Sequence, residues 1–375
     1  MINLFEPHVD QASLDLLKVV FQSKWLGRGE YVAKFERQLS VLLKTDSAKL
    51  HTVACCTDAI FGAFEVLGVA PSGEVIVPSI SFPAVGSAIL AAGLIPRVVD
   101  IDIKSGNIDL TKIAEVISPK TVAVFVTHYG GIPVDIKQLR QLVGPDIFII
   151  EDAACALGTY IDGVACGTEG DFGCWSFDAM KLLTCGEGGG LYVADSDRMN
   201  HAKEYFYLGL PAQTKSGIDR QATDSRWWEY QLNMPGRRSM FTNINAAIGL
   251  PQFETLPDAL ERRKAIREYY CQALDKVGVE YLRQDQSNVI YSNYFFTVTT
   301  KRRDELASYL KSNNIYSTFR YHPLHLIDIF KPYSSNCAQA NIFSNIALNI
   351  PIHQSLTDAD VSHISDALKS FFARD

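Results

Sequence analysis

Short apolar runs recur through the first half of the chain, and stretches with helical periodicity separate them. Six of these runs have the length of buried strands: residues 75–77, 95–99, 123–126, 147–150, 173–177 and 190–194. Uninterrupted apolar runs of this length are typical of parallel strands that are covered on both faces. The pattern therefore predicts an α/β fold whose large domain holds a mostly parallel mixed sheet flanked by helices.

The pattern changes near Thr242, where helical periodicity becomes dominant. It predicts helices over residues 245–256 and 261–277, with Pro257 separating them. Further along, the sequence predicts a strand over 294–298, a helix over 301–313, a strand over 315–320 and a last helix over 358–372. We therefore expect a large domain over residues 1–241 and a smaller C-terminal α/β domain over residues 242–375.

The composition is that of an ordinary globular protein. The chain has 375 residues, 47% of them hydrophobic and 21% charged, which is enough for one large core and a smaller second one. A formal charge of -7 with scattered Lys and Arg disfavours nucleic-acid binding. The eight cysteines lack Cys-x-x-Cys spacing, as is typical of reduced thiols. We expect a cytoplasmic protein without a bound metal.

One uncharged stretch, residues 75–96, is almost long enough to span a bilayer. Because it contains three prolines and two glycines, the sequence predicts a strand, a loop and a buried helix there instead. The N-terminus carries Glu6, His8 and Asp10 and lacks the basic-then-apolar order of a signal peptide. We therefore expect no membrane partner.

Lys181 is the candidate for chemistry, because it lies between an apolar run and four glycines in SFDAMKLLTCGEGGG, residues 176–190. Pyridoxal phosphate needs an amine that can form a Schiff base, a phosphate cradle and a carboxylate for its ring nitrogen. An apolar run upstream ends in Glu151 and Asp152. Taken alone, the lysine could be solvated and Asp152 could be a helix N-cap. Their combination favours a pyridoxal phosphate site.

Further motifs run in order along the chain. They are WLGRGEYVAKFE (25–36), CTDA (56–59), PSISF (78–82), VDID (99–102) with GNID (106–109), EDAA (151–154), NINAA (243–247) and PLH (323–325). With these motifs the chain resembles the DegT/DnrJ family of pyridoxal-phosphate-dependent nucleotide-sugar aminotransferases. The resemblance implies the aspartate-aminotransferase-like fold (fold type I) and a homodimer whose active sites lie at the subunit interface.

The resemblance also implies a role for each matching residue. Lys181 would bind the cofactor and move the substrate proton, and Asp152 would pair with the protonated ring nitrogen. Thr57, Asp58 and Ser176 would bind the phosphate, the first two at a helix start that favours anions. Phe82 would stack on the cofactor ring.

Three positions depart from the family pattern. For two more, the resemblance implies a contact with the substrate. Cys155 replaces the usual Gln or His near the cofactor's phenolic oxygen. Arg238 replaces an Asn or Ser that reaches the phosphate across the dimer. Arg320 replaces a frequent His and would meet either a substrate phosphate or the donor's carboxylate. Tyr321 and His325 are the other candidate substrate contacts.

The implied activity is transfer of an amino group from L-glutamate, which leaves as 2-oxoglutarate, to a keto sugar on a nucleotide diphosphate. The Trp25-Leu26 pattern favours C4 of a 4-keto-6-deoxyhexose, and amino sugars of surface polysaccharides such as O-antigen are usual products. A 3-keto sugar aminotransferase is one alternative. Another is a pyridoxamine-dependent sugar 3-dehydratase, but such relatives carry His at the position of Lys181. The intact Lys181 and Asp152 argue against a protein that kept the fold and lost the chemistry.

Overall fold

The computed structural model describes residues 1–211, 228–229 and 231–373. The helices are α1 Gln11–Ser23, α2 Glu30–Leu43, α3 Cys56–Val66, α4 Pro83–Ala91, α5 Leu110–Val116, α6 Ile136–Val143, α7 Ser196–Tyr205, α8 Asn243–Gly249, α9 Gln252–Asp275, α10 Arg303–Ser312, α11 Ala338–Ile346 and α12 Asp358–Phe372. The strands are β1 Leu50–Val53, β2 Glu74–Pro78, β3 Ile95–Val99, β4 Thr121–Thr127, β5 Phe148–Asp152, β6 Tyr160–Ile161, β7 Val164–Ala165, β8 Phe172–Ser176, β9 Gly189–Val193, β10 Glu280–Tyr281, β11 Val289–Ile290, β12 Phe296–Thr299 and β13 Ala347–Ile350.

Seven strands form the main sheet, in the order β1-β9-β8-β5-β4-β2-β3. Strands from β8 to β3 are parallel to their neighbours, whereas β9 runs antiparallel to both β1 and β8. All six apolar runs lie in this sheet, so the predicted mostly parallel mixed sheet is confirmed. Of the strands in this sheet, only the short edge strand β1 was not predicted.

The central strands are mainly apolar because the sheet is buried on both faces. Along β2, Val75 and Val77 belong to the core shared with α3 and α4, whereas Ile76 faces the core that contains residues of α5 and α6. Successive side chains of a strand point to opposite faces, so a two-sided core needs an apolar residue at every position. Polar side chains lie instead at the carboxyl ends of the parallel strands.

The C-terminal part builds a second, smaller core. Strands β10, β12 and β13 form an antiparallel sheet, and α9, α10 and α12 supply apolar residues to its core. The helix over residues 358–372 was predicted with its observed bounds. Helix α8, the first element after residue 241, packs against α1 and α2. The domain boundary at residue 241 stays a prediction.

Two predicted elements were wrong. Pro257 does not separate two helices, because it lies inside α9, and the break falls at Pro251. Packing of Leu256 and Ile266 on either side of this proline outweighs the one hydrogen bond that it removes. Residues 315–320 form no strand; they make only isolated bridges, through Ile315 to the N-terminal segment and through Thr318 to β13.

Residues 75–96 form β2, a loop and α4, with β3 beginning at Ile95, as the sequence predicted. Within the described part of the chain, no helix combines the length and apolar character needed to cross a membrane.

Candidate active site

Asp152 and Lys181 lie at the carboxyl ends of the neighbouring parallel strands β5 and β8. Asp152 is the last residue of β5 and pairs in register with Cys174 of β8. Beyond β8 the chain turns, and Asp178 shapes this turn by accepting the backbone N–H groups of Met180 (3.0 Å) and Lys181 (3.0 Å). Strand adjacency thus brings together two residues that are 29 positions apart in sequence (181 − 152).

A thiol and two phenols surround the Lys181 amine. Lys181 Nζ lies 3.7 Å from Cys155 Sγ and 5.0 Å from the centre of the Tyr294 ring. The Tyr321 hydroxyl lies 3.7 Å from the same sulfur. The structure therefore places Cys155 and Tyr321, both predicted from the sequence, beside the reactive amine.

Burial lowers the pKa of the Lys181 amine, but Coulombic interactions with Cys155, Tyr294, Tyr321 and Asp152 raise it, and the balance leaves the pKa well above its usual value. Burial raises the pKa values of Cys155, Tyr294 and Tyr321 as well. Lys181 rests as an ammonium group and must lose a proton before it reacts.

The carboxylate of Asp152 is buried and only partly satisfied. Its Oδ1 accepts the N–H of Ala154 at 2.9 Å, and its second oxygen accepts no hydrogen bond from the residues that the structure describes. Burial raises the pKa of Asp152, while the Ala154 N–H and the charge of Lys181 lower it. A carboxylate oxygen that accepts no donor from the described residues fits a ligand that brings a protonated ring nitrogen.

The preceding residue, Glu151, is fully satisfied. Its oxygens accept the backbone N–H groups of Gly167 (2.8 Å), Glu169 (2.9 Å) and Gly170 (2.6 Å), and His128 Nε2 lies at 2.9 Å. His128 Nδ1 accepts the N–H of Val134, so Nε2 carries the proton that is donated to Glu151. Glu151 therefore stabilises the fold, whereas Asp152 has one carboxylate oxygen that can still accept a hydrogen bond.

The start of α3 and the end of β8 meet across β9. Ser176 and Val53 both pair with Gly189, and α3 begins three residues after Val53. A Cβ on Gly189 would lie 2.5 Å from the backbone of Cys55 and Cys56, so only glycine allows this approach. The first-turn N–H groups of α3, which have no intrahelical acceptor, thus lie near the buried Ser176.

Within this helix start, the two predicted phosphate residues have different surroundings. Cys55 caps α3, and its sulfur accepts the N–H of Asp58 at 3.4 Å. The Asp58 carboxylate accepts the Ser239 hydroxyl at 2.6 Å, and Ser239 in turn accepts the N–H of Ala54 at 3.0 Å. Asp58 therefore braces the loop, and Thr57 in the first turn presents a hydroxyl beside free N–H groups.

Phe82, the N-cap residue of α4, stands beside the lysine cluster through an edge contact with the Tyr321 ring (5.6 Å between centroids). It is 42% exposed although it is a large apolar side chain. An exposed aromatic face next to Tyr321 is available to stack on a planar ligand.

The remaining predicted residues lie around this centre. His325 has both ring nitrogens engaged, with Ser79 Oγ at 2.5 Å and Asn341 Oδ1 at 2.9 Å, so it braces the loop before Phe82, and its substrate contact stays a prediction. Arg238 is exposed and forms a backbone bridge with Tyr207. Its predicted reach across a dimer stays a prediction as well.

Sequence reasoning missed two aromatic residues of the site. Tyr294 lies under the Lys181 amine, and its hydroxyl donates to the carbonyl oxygen of Met180 at 3.2 Å. Phe5 stacks on Tyr294 with centroids 5.1 Å apart. No local pattern could reveal these contacts, since they join segments that are distant in sequence.

The site fits pyridoxal phosphate at three points: the Lys181 amine, the free oxygen of Asp152, and the helix start beside Ser176. Fold and site together are those of a pyridoxal-phosphate-dependent enzyme of fold type I. The chain belongs to the DegT/DnrJ/EryC1/StrS aminotransferase family, whose model matches residues 7–369. This family depends on pyridoxal phosphate, so the protein is an aminotransferase that uses this cofactor.

Similar proteins cover almost the entire chain. A dTDP-4-dehydro-2,3,6-trideoxy-D-glucose 4-aminotransferase from Saccharopolyspora spinosa is 35% identical over 98% of this chain and 95% of its own length. The crystal structure of the aminotransferase TlmJ from Streptoalloteichus hindustanus has a TM-score of 0.92 at 36% identity, covering 100% and 99% of the two chains. The PMP form of the sugar aminotransferase Spr1654 from Streptococcus pneumoniae has a TM-score of 0.91 at 25% identity, with complete coverage of both chains.

Proposed function

We propose that this enzyme transfers the amino group of L-glutamate to C4 of a 4-keto-6-deoxyhexose carried on a nucleotide diphosphate, and that the amino sugar serves polysaccharide biosynthesis. The observation that carries this proposal is the 35% identity, over nearly the full chain, to an enzyme that aminates C4 of a dTDP-linked keto sugar. Lys181 supports it, because it supplies the amine that transamination requires.

Each polar group of the site has a task in this reaction. The cofactor, when bound, supplies an aldehyde and a ring that stabilises negative charge on the carbon bearing the amine. Lys181 Nζ would bind that aldehyde and, once released, would carry the proton from the amine-bearing carbon to the former aldehyde carbon of the cofactor. Because Asp152 is buried and negative, it keeps the ring nitrogen protonated.

The other residues hold the reactants in place. The first-turn N–H groups of α3, the Thr57 hydroxyl and the Ser176 hydroxyl bind the phosphate. Phe82 covers one face of the ring and excludes water from it. Cys155, the departure near the phenolic oxygen, makes only long sulfur contacts with Lys181 and Tyr321, so it orients the oxygen weakly.

We also propose a cytoplasmic homodimer with shared sites. Two large apolar side chains beside the centre, Phe82 (42%) and Met180 (46%), are exposed in the single protomer. A second subunit would cover them, and the exposed Arg238 would reach its phosphate. Mixing Lys181→Ala subunits with Arg238→Ala subunits tests this: a shared site gives one fully intact site per mixed dimer, whereas independent subunits give none.

A panel of keto sugars decides the reaction. The holoenzyme is incubated with glutamate and with 4-keto and 3-keto sugars on dTDP, UDP and GDP, 2-oxoglutarate release is measured, and NMR locates the new amino group. We expect amination at C4, and Lys181→Ala should abolish it. Amination at C3, or loss of a C3 hydroxyl without consumption of glutamate, would overturn the proposal in favour of the alternative enzymes of this fold.

A further inference from the structure

Arg320 carries a positive charge at the edge of the Lys181 cluster and has no ion-pair partner in the described part of the chain. Its guanidinium lies over the ring of Phe5, 5.0 Å from the ring centre. Phe5 stacks on Tyr294, and Tyr294 lies under the Lys181 amine. A continuous aromatic layer therefore connects the two cations.

The backbone of Arg320 is held independently of its side chain. The Tyr129 hydroxyl donates to the Arg320 carbonyl oxygen, and the Arg320 N–H donates to Asn349 Oδ1 at 2.9 Å. Both Tyr129 and Asn349 are buried. The contact with Phe5 positions the guanidinium, and within the described residues no hydrogen bond engages its N–H donors, as an anion receptor requires.

Another arginine near the site has a guanidinium whose N–H donors are occupied by hydrogen bonds. Arg263, 5.9 Å from the Tyr294 ring centre, is fully buried. It donates to the carbonyl oxygens of Asn293 (3.3 Å) and Ile352 (2.7 Å) and to Gln354 Oε1 (3.1 Å). Among the residues that the structure describes, the half-buried Arg320 has no such acceptors, so its donors are open to a ligand.

Resting on the function proposed above, we infer that Arg320 binds the α-carboxylate of the amino-acid donor. In an amino acid the carboxylate is attached to the carbon that bears the amine, so its receptor must stand within the shell of residues around Lys181. In a nucleotide sugar the diphosphate is separated from C4 by the whole sugar ring. The planar fork of arginine pairs with both oxygens of a carboxylate, and a lysine could not.

The test uses the half-reaction in which an amine donor converts the bound cofactor to its amine form, followed by absorbance without any sugar. In Arg320→Gln we expect the glutamate concentration for half-maximal rate to rise at least tenfold. Conversion by 1-phenylethylamine, which has no carboxylate, should stay within about twofold of the wild type. Arg320→Lys should fall between the two, because it keeps the charge and loses the fork.

A binding measurement separates recognition from catalysis. Calorimetric titration of the holoenzyme with glutarate, a dicarboxylate without an amine, should show at least tenfold weaker binding in Arg320→Gln. Arg283→Gln is the matched control, because Arg283 also stacks on an aromatic ring, Tyr281 at 4.1 Å, but pairs with Asp275. Arg283→Gln should bind glutarate with the affinity of the wild type.

The outcomes distinguish this inference from the proposed function. If Arg320→Gln keeps the wild-type response to glutamate, or instead raises the KM of the nucleotide sugar, Arg320 does not bind the donor carboxylate. If the wild-type enzyme itself does not respond to glutamate but responds to another amine, the proposed donor is wrong. Unchanged cofactor absorbance and circular dichroism in the variant exclude misfolding as the cause.

Discussion

Asp152 and Glu151 are consecutive carboxylates at the end of β5, and the alternation of a strand gives them opposite surroundings. Glu151 accepts three backbone N–H groups and the His128 ring, whereas Asp152 accepts one N–H. The same chemical group therefore stabilises the fold at one position and, in the proposed mechanism, serves the reaction at the next.

Asp152→Asn should slow the glutamate half-reaction by roughly a hundredfold or more, because the amide cannot hold a proton on the ring nitrogen. The side chain keeps its size and its hydrogen bond from Ala154, so the free energy of unfolding should change little. Stopped-flow absorbance and urea unfolding measure the two quantities. A near-normal rate in this variant would remove Asp152 from the mechanism.

Glu151→Gln should lower the stability and leave the reaction rate nearly unchanged, which is the reverse of Asp152→Asn. Its amide NH₂ would face backbone N–H groups that now donate to a carboxylate, leaving buried donors without partners. We expect a loss of about 2–4 kcal/mol in the free energy of unfolding. In the folded fraction, the rate of the glutamate half-reaction should be close to normal. A stable variant without activity would show that the two carboxylates have been assigned the wrong way round.

The pH dependence of cofactor uptake should report the Lys181 amine. Because the pKa of Lys181 lies well above its usual value, the amine is protonated at neutral pH and only its deprotonated fraction reacts with an aldehyde. The rate at which the apoenzyme binds pyridoxal phosphate covalently should thus rise by roughly tenfold per pH unit from pH 7 to 9. Borohydride reduction followed by mass spectrometry measures the adduct. A rate independent of pH would mean that the amine is already neutral.

At the scale of elements, the close contact between β9 and the start of α3 positions the proposed phosphate site. Gly189→Ala would force its Cβ to within 2.5 Å of the Cys55 and Cys56 backbone and push the helix start away. We expect cofactor affinity to fall at least tenfold, measured by fluorescence titration of the apoenzyme.

Gly190→Ala is the control, because the next residue faces the other side of β9. Its Cβ would meet side-chain atoms of Leu39 and Phe177 at 3.3 Å, and side chains can adjust by a few tenths of an ångström. Cofactor affinity should be unchanged. Equal effects of the two substitutions would indicate a general loss of stability and not a specific role of the helix start.

The sequence predicted those elements whose signal is local. The six central strands were recognisable because a two-sided core requires continuous apolar residues. The short β6–β7 hairpin was missed although its Asp162-Gly163 turn, with φ of 49° and 79°, is the dipeptide favoured in tight hairpins. Residues 315–320 look like a strand by composition, but the N-terminal segment and β13 offer them only isolated bridges.

The residues of the site likewise divide into those with a local sequence signal and those without one. Lys181 and Asp152 each belong to a recognisable local motif, and the sheet order then brought them together. Tyr294 and Phe5 could not be predicted, because their place depends on how the two ends of the chain pack in three dimensions. Gly189 was visible as a glycine, but only the structure shows the backbone that it lets approach.

At the scale of the whole molecule, the N-terminal segment joins the C-terminal part of the chain to the active site. Ile2 exchanges backbone hydrogen bonds with Asn314 (2.7 Å) and Tyr316 (2.9 Å), and Phe5 packs on Tyr294 beside Lys181. His353 holds the same segment, with Nε2 3.2 Å from the Asn3 carbonyl oxygen. The other ring nitrogen of His353 is buried and has no hydrogen-bond partner among the residues that the structure describes.

Protonation of His353 should therefore destabilise the fold in mild acid. Burial and the nearby charge of Arg263 lower the pKa of His353 to about 4, below the usual 6.5 of an unfolded chain. The unfolded state thus binds the proton first, so the stability that neutral His353 confers is present above pH 6.5 and is lost as the pH falls toward 4. We expect a loss of roughly 2 kcal/mol from this residue, measured by urea unfolding between pH 7 and pH 4.5.

His353→Gln isolates that contribution, because glutamine can still donate to the Asn3 carbonyl oxygen but does not titrate. The carboxylates and His51, whose pKa burial also lowers, titrate alike in both proteins and cancel in the comparison. The variant should therefore lose less stability than the wild type over this pH range, and the two unfolding curves should converge in acid. Parallel pH profiles would show that the pKa of His353 is the same in the folded and unfolded states, so that its burial does not destabilise the fold in acid.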